Sequence, residues 1–298
     1  MRLHYAIKNQ LVGLMVRLLG ILPMNLAQLL GYWIGILLWH TTSKTRQVCE
    51  TNITACFPNL DAAEQRQLSY MSVINASTTL MEMLCIWRHS LHYGQKLIQS
   101  VHNEILLNQA LQQKRGLLLI LPHLGNWELT NHYITQKTTI VALYHPAKLS
   151  QLDQLMYAAR IRTGTQMVPT NRAGVKALYQ QLQQGGTVII LPDQEPTPNS
   201  GCFAPFFGAS ALTGVLVPRL LQNTGAQCLC IFTLRNASTQ GFTTYILEPD
   251  PAIYASNMTY ATAGLNHSIE RCIQQNPHQY QWSYKRFKHR PEGEPNLY

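Results

Sequence analysis

The sequence predicts an α/β fold: a mostly parallel central sheet with helices on both faces, preceded by an N-terminal hydrophobic helical segment. Three observations predict it. Beyond residue 116, short apolar runs alternate with amphipathic stretches of helical period. The clearest runs, 117–121 and the apolar part of 187–191, are apolar at consecutive positions, not every second one, as in strands buried on both faces. Residues 11–39 are almost entirely apolar.

In that first segment only Arg17, Pro23, Asn25 and Gln28 interrupt the apolar run, and Pro23 divides it into two helical pieces. Its cleanest stretch, 26–39 (LAQLLGYWIGILLW), has fourteen residues, whereas a spanning helix needs about 20. Tyr32, Trp33 and Trp39 suit a membrane–water interface. No small-x-small cleavage site follows, as a secretory signal would require. A buried helix pair would also give this pattern. The expectation is a membrane-associating segment over 1–40, lying on the bilayer or inserted as one helix, followed by a functional domain over 41–298. Arg2, Lys8 and Arg17 precede the cleanest stretch and Lys44 and Arg46 follow it, so charge alone leaves its orientation undecided.

Residues 41–115 read as mostly helical, with helices over 46–56 and 62–83 separated by Cys56-Phe57-Pro58-Asn59; Asp61 is placed to cap the second. Strands follow at 117–121 (LLLIL), 139–144 (TIVALY), 187–191 (TVIIL), 227–234 and 243–247. Helices are expected over 127–136, 150–162, 172–184, 211–224 and 258–274.

Hydrophobic residues make up 46% of the chain and charged ones only 12%, against about 25% in a typical soluble domain. Some surface is therefore expected to face lipid. The net charge of +9 favours anionic partners: phospholipid headgroups, nucleic acid or an acidic carrier protein. The seven cysteines are scattered and form no CxxC, which argues against a disulfide framework or a zinc ribbon. Cys228 and Cys230 lie in an apolar strand and read as structural.

In sheets of this kind, sites form at the carboxyl ends of strands. After 117–121 stands Pro122-His123-Leu124-Gly125-Asn126-Trp127-Glu128. His123 falls at the turn and Glu128 in the first helical turn, with Asn126 as its cap. A turn between them would let Glu128 hold one imidazole nitrogen and make the other a general base toward a hydroxyl. Gly125 permits a close approach of backbone or substrate, and amides near it would serve a developing oxyanion. After 187–191 stands Pro192-Asp193-Gln194-Glu195-Pro196, then GCFAPFFG over 201–208. Asp193 and Gln194 are placed to contact ligand, and Phe206 to line an apolar slot. Arg160 and Arg162 close a helix, where they compensate its dipole or hold a phosphate. The basic tail, 284–290, would suit nucleic acid, but no nucleic-acid fold motif accompanies it. No P-loop, G-x-S-x-G or H-E-x-x-H occurs.

Taken together, HLGNWE (123–128), R-x-R-x-G (160–164), LPDQ (191–194), GCFAPFFG (201–208), ALTG (211–214) and YQWSYKRFKHRPEGEPNLY (280–298) resemble the bacterial lipid A biosynthesis acyltransferases, the secondary lauroyl and myristoyl transferases of the lysophospholipid acyltransferase superfamily. The resemblance covers nearly the whole chain. It departs at 228–233, where Cys-Leu-Cys-Ile-Phe replaces a proline-containing superfamily pattern.

The resemblance implies an acyl-carrier-protein thioester as donor and a lipid A precursor as acceptor, at the cytoplasmic face of a Gram-negative inner membrane. It calls for no cofactor, metal or nucleic acid. By position it implies His123 as base and Glu128 as its partner, Arg160 or Arg162 on a phosphate, and Asp193 shaping the acceptor site, with 41–298 the acyltransferase domain. A lysophosphatidate or lyso-ornithine lipid acceptor is the alternative within the superfamily. A non-enzymatic anionic-lipid-binding protein is the alternative outside it.

Overall fold

The computed structural model describes residues 2–41, 43–147, 149–237 and 241–298. The N-terminal half is helical. Helices α1 (Arg2–Leu19) and α2 (Met24–His40) meet at Pro23, followed by α3 (Lys44–Cys56), α4 (Ala62–Arg88) and α5 (Leu91–Leu97). Asp61 caps α4 with a full capping box: its carboxylate accepts the amides of Ala63 and Glu64, and Glu64 returns to the Asp61 amide.

Helix α2 lies close along α4. Its packed face includes Ala27, Gly31 and Gly35, small residues spaced a turn apart, and ends at the buried Trp39. A Cβ on Gly31 would sit 2.5 Å from the Thr78 Cα, and one on Gly35 2.5 Å from the Ile74 Cα. The opposite face stays open: Leu29 is 53%, Trp33 59% and Leu37 65% exposed. Helix α1 also exposes Leu14, Met15 and Leu18. No helix among the described residues is long and apolar enough to cross a membrane.

The remaining elements are β1 (Ile98–His102), α6 (Glu104–Gln113), β2 (Leu117–Ile120), α7 (Trp127–Ile134), β3 (Ile140–Tyr144), α8 (Ser150–Arg162), β4 (Gln166–Pro169), α9 (Arg172–Gln183) and β5 (Thr187–Ile190). After these come β6 (Gly201–Phe206), β7 (Ala209–Gly214), α10 (Leu216–Thr224), β8 (Gln227–Arg235), β9 (Phe242–Leu247) and α11 (Met258–Gln275). Among the described residues, seven strands form one sheet in the order β1-β9-β8-β2-β5-β3-β4. The five from β8 to β4 run parallel; β9 pairs antiparallel to β8, and β1 runs parallel to β9. Every residue of β2 and β5 is buried, as strands covered on both faces require.

Two expectations about elements are corrected. Residues 211–224 are not one helix: 209–214 form a strand, and the helix starts at Leu216. The 201–208 stretch is the other arm of that hairpin, with Gly201 opposite Gly214 and Phe206 opposite Ala209. Thr213 is buried, and only the hairpin brings it to Asn266 of α11, 3.1 Å away. Within 84–115, read as helical, β1 adds an edge strand; its Ser100 and Val101 pair with Thr243 and Thr244.

Candidate active site

Strands β2 and β5 are adjacent, parallel and in register, Leu117 opposite Thr187 and Ile120 opposite Ile190. Each leaves the sheet through Leu-Pro: Leu121-Pro122-His123 from one, Leu191-Pro192-Asp193 from the other. Equal offsets on neighbouring in-register strands put His123 beside Asp193. Proline after each strand end removes a donor the ladder no longer needs and stops the strand there.

The contact is double. The Asp193 carboxylate accepts the His123 backbone N–H through Oδ2 and the ring Nδ1–H through Oδ1, both at 2.8 Å. Asp193 is 1% exposed, and the His123 side chain keeps 15%. Burial alone would raise the Asp193 carboxyl, but the charge of His123 and its two hydrogen bonds outweigh that and hold it below the ordinary aspartate range. An ionised Asp193 fixes the proton on Nδ1, leaving the Nε2 lone pair outward. The Gln194 amide lies 3.4 Å from that Nε2 and 3.3 Å from the Gln281 Oε1. The Trp127 ring meets the imidazole edge-on, 5.0 Å between centroids.

The expected pairing of His123 with Glu128 is not made. Glu128 is the second residue of α7 and is buried; Arg160 of α8 donates to it at 2.6, 3.2 and 3.3 Å. The first turn of α7 directs the carboxylate toward α8, away from the strand end. This pair also accounts for Arg160: burial disfavours its charge, but Glu128 more than compensates and holds it protonated. Arg162 points elsewhere and donates to the Trp87 carbonyl at 2.8 Å. Both arginines are thus engaged within the protein.

Gly125 and Asn126 are structural parts of the turn. Gly125 adopts φ +61°, and a Cβ there would overlap the Thr233 carbonyl. Its amide donates to the Gln279 carbonyl (3.0 Å) and that of Asn126 to the Thr233 carbonyl (2.8 Å), so neither is free for an oxyanion. The Asn126 side chain caps α7 through Leu129 and reaches Glu82 on α4 at 3.3 Å. Glu82, fully buried, also receives Arg235 and Gln28, the latter at 2.8 Å. Helices α2 and α4, the end of β8 and the α7 cap therefore share one carboxylate. Phe206 is fully buried beneath Arg286 and offers no surface to a ligand.

The C-terminal tail closes the site and is not a free basic arm. Its Gln281 amide donates to the His123 carbonyl at 3.0 Å. Arg286, 2% exposed, is spent on the Leu212 carbonyl and Thr213 hydroxyl, and His289 on Glu195. Buried Asn52 of α3 holds the Trp282 and Tyr284 carbonyls.

Beside Trp127 and Gln281 lies a cavity of about 290 Å³, walled mainly by Leu38, Ala76, Leu80, Met83 and Tyr280. Leu80 is 53% exposed, so the cavity reaches the surface along α4. Among the described residues, no group of three or more His, Cys, Asp or Glu could hold a metal ion. The cysteines are all free, and all but Cys202 are buried.

A family model described as bacterial lipid A biosynthesis acyltransferase matches residues 2–289. The chain is 26% identical to the lipid A biosynthesis lauroyltransferase of Escherichia coli (strain K12) over 286 residues, covering 93% of this chain and 90% of that one. It is 27% identical to the lipid A biosynthesis palmitoleoyltransferase of the same strain over 282 residues, with the same two coverages. A lipid A biosynthesis acyltransferase of Haemophilus influenzae is 25% identical over 284 residues, covering 93% of this chain and 86% of that one.

Proposed function

The chain belongs to the bacterial lipid A biosynthesis acyltransferase family and is an acyltransferase, and from that premise we propose that it moves a fatty acyl group from an acyl-carrier-protein thioester to a hydroxyl of a lipid A precursor, with His123 as the base. The observation that carries this reading is the double contact of Asp193 with His123.

The acceptor hydroxyl displaces the Gln194 amide and donates to Nε2. His123 takes the proton as the oxygen attacks the thioester carbonyl. Asp193 stabilises the imidazolium without itself becoming protonated. When the tetrahedral intermediate collapses, the carbon–sulfur bond breaks and His123 returns the proton to the departing pantetheine thiolate. Alcohol and thioester become ester and thiol, with no acyl-enzyme. In this reading Glu128 acts through Arg160: the pair fixes α7 against α8 and holds the guanidinium where an anionic group of donor or acceptor arrives.

The apolar cavity beside Trp127 suits the acyl chain, of the lauroyl or palmitoleoyl class named for the relatives. The exposed apolar face of α1 and α2 suits residues 1–40 lying in the outer part of a bilayer without spanning it, with the 41–298 acyltransferase domain on the cytoplasmic side of the inner membrane.

Mass spectrometry of lipid A from cells with and without the protein tests this. Loss of one secondary acyl chain on deletion, restored by wild type and not by His123→Ala, is the expected result, and the mass difference names the chain. Unchanged lipid A would move the acceptor to lysophosphatidate or a lyso-ornithine lipid.

A further inference from the structure

Between α1, the end of α4 and the first half of α8 lies a cleft of about 350 Å³ that the catalytic reading does not use. Its wall includes Gly13, Arg17, Arg88, Gln151, Gln154 and Leu155, and among the described residues it carries no carboxylate. Arg17 reaches the Gln151 side chain at 3.1 Å. Among the described residues, neither arginine has a salt-bridge partner. The first 49 residues contain five Lys and Arg and no Asp or Glu.

The cleft borders the exposed apolar surface. Leu14 and Leu18 flank Arg17 on α1 and are 57% and 56% exposed; Ile21, just beyond, is 59% exposed. The Arg88 stem crosses the α1–α2 turn so closely that a Cβ on Gly20 would overlap it. Two guanidinium groups thus stand at the margin of an apolar face. A phospholipid offers that order of groups: an anionic phosphate next to hydrocarbon.

We propose that the Arg17–Arg88 cleft binds the phosphate of an anionic phospholipid headgroup and so fixes how the protein sits on the bilayer. The proposal rests on the reading that the α1–α2 face meets lipid. A phosphodiester has two unesterified oxygens, one for each guanidinium, whose planar forks suit phosphate oxygens. The amide of Gln154, which also lines the cleft, is placed to donate as well. The neighbouring leucines and Ile21 take the upper part of the acyl chains, which a nucleic-acid phosphate would leave uncovered.

The test is co-sedimentation of the full chain with phosphatidylcholine vesicles, with and without added phosphatidylglycerol. The variants are Arg17→Gln/Arg88→Gln and a control, Arg172→Gln/Lys176→Gln on α9, that removes the same charge elsewhere. Wild type and control are expected to bind the phosphatidylglycerol vesicles alike, and the arginine pair variant at least tenfold more weakly. On phosphatidylcholine alone the three should match. Turnover of detergent-dispersed acceptor should be unchanged in the pair variant.

Equal binding of pair variant and wild type overturns the proposal and leaves the lipid-facing reading standing. An equal loss in the control shows diffuse charge and overturns it too. Loss of turnover in detergent assigns the cleft to the acceptor instead. Failure of wild type to bind either vesicle overturns the lipid-facing reading and this proposal together.

Discussion

Asp193 holds His123 through two atoms at once, its carboxylate oxygens each 2.8 Å from a His123 donor, one on the ring and one on the backbone. A side chain gripped by both handles cannot turn away while its loop stays in place. Its proton location is settled as well, since an ionised carboxylate at Nδ1 leaves Nε2 as acceptor.

Asp193→Asn should therefore cost activity without reshaping the site. A general base contributes about 10²- to 10⁴-fold, and kcat for thiol release from the thioester should fall within that range, as it should in His123→Ala. Near-wild-type kcat in Asp193→Asn would remove Asp193 from the mechanism.

The same residue predicts a pH dependence of stability. Its folded pKa lies below the ordinary value, which is about 3.9 for an unfolded chain. Its stabilising contribution is fully present above that value and is lost as pH falls through the lower folded one. In urea unfolding, the stability gap between wild type and Asp193→Asn should be present above the ordinary aspartate range and narrow as pH falls below about 4. A gap that closes near neutrality would contradict the assignment.

Glu128 and Arg160 should behave as one unit. Glu128→Ala leaves a largely enclosed guanidinium without its partner and should destabilise by about 3 kcal/mol. Adding Arg160→Ala should recover part of that loss, giving a coupling energy of about 1 kcal/mol or more in the cycle. Additive losses would mean that the two act separately.

Gly125→Ala should be among the most damaging small substitutions. The left-handed backbone alone costs about 1–2 kcal/mol for an L residue, and the new methyl would overlap the Thr233 carbonyl. A lower denaturation midpoint with loss of activity is expected; unchanged midpoint and turnover would show that the turn relaxes freely.

The two faces of α2 should separate fold from membrane contact. Leu29→Asp/Trp33→Asp alters only exposed positions, so melting should hold while vesicle binding falls. Gly31→Leu should do the reverse, since its side chain meets the α4 backbone at Thr78. If Leu29→Asp/Trp33→Asp binds vesicles as wild type does, this face does not meet lipid.

Most of the fold was legible because its signals are local. The α8 bounds of Ser150–Arg162 match the 150–162 expected from helical period, and β2, β3, β5, β8 and β9 fall where apolar runs stand in the sequence. The β6–β7 hairpin was not legible, because ALTG carries no alternation and its place is fixed by α11 and the tail. Edge strand β1 owes its state to pairing with β9, some 140 residues away.

The sequence by itself determined the family, the strand-end position of His123, the role of Asn126 as cap and the break at Pro23, since each rests on a motif or on neighbours a few residues apart. Only the tertiary structure decided which carboxylate His123 receives. Glu128 is nearer along the chain, but a helix turn and Arg160 draw it away. Asp193, seventy residues on, arrives because β5 lies beside β2 in register and both strands leave through Leu-Pro. The twin Leu-Pro exits were visible from the start. Which strand neighbours which was not, because strand order is set by how crossover helices pack over the whole sheet and not by any local run of residues.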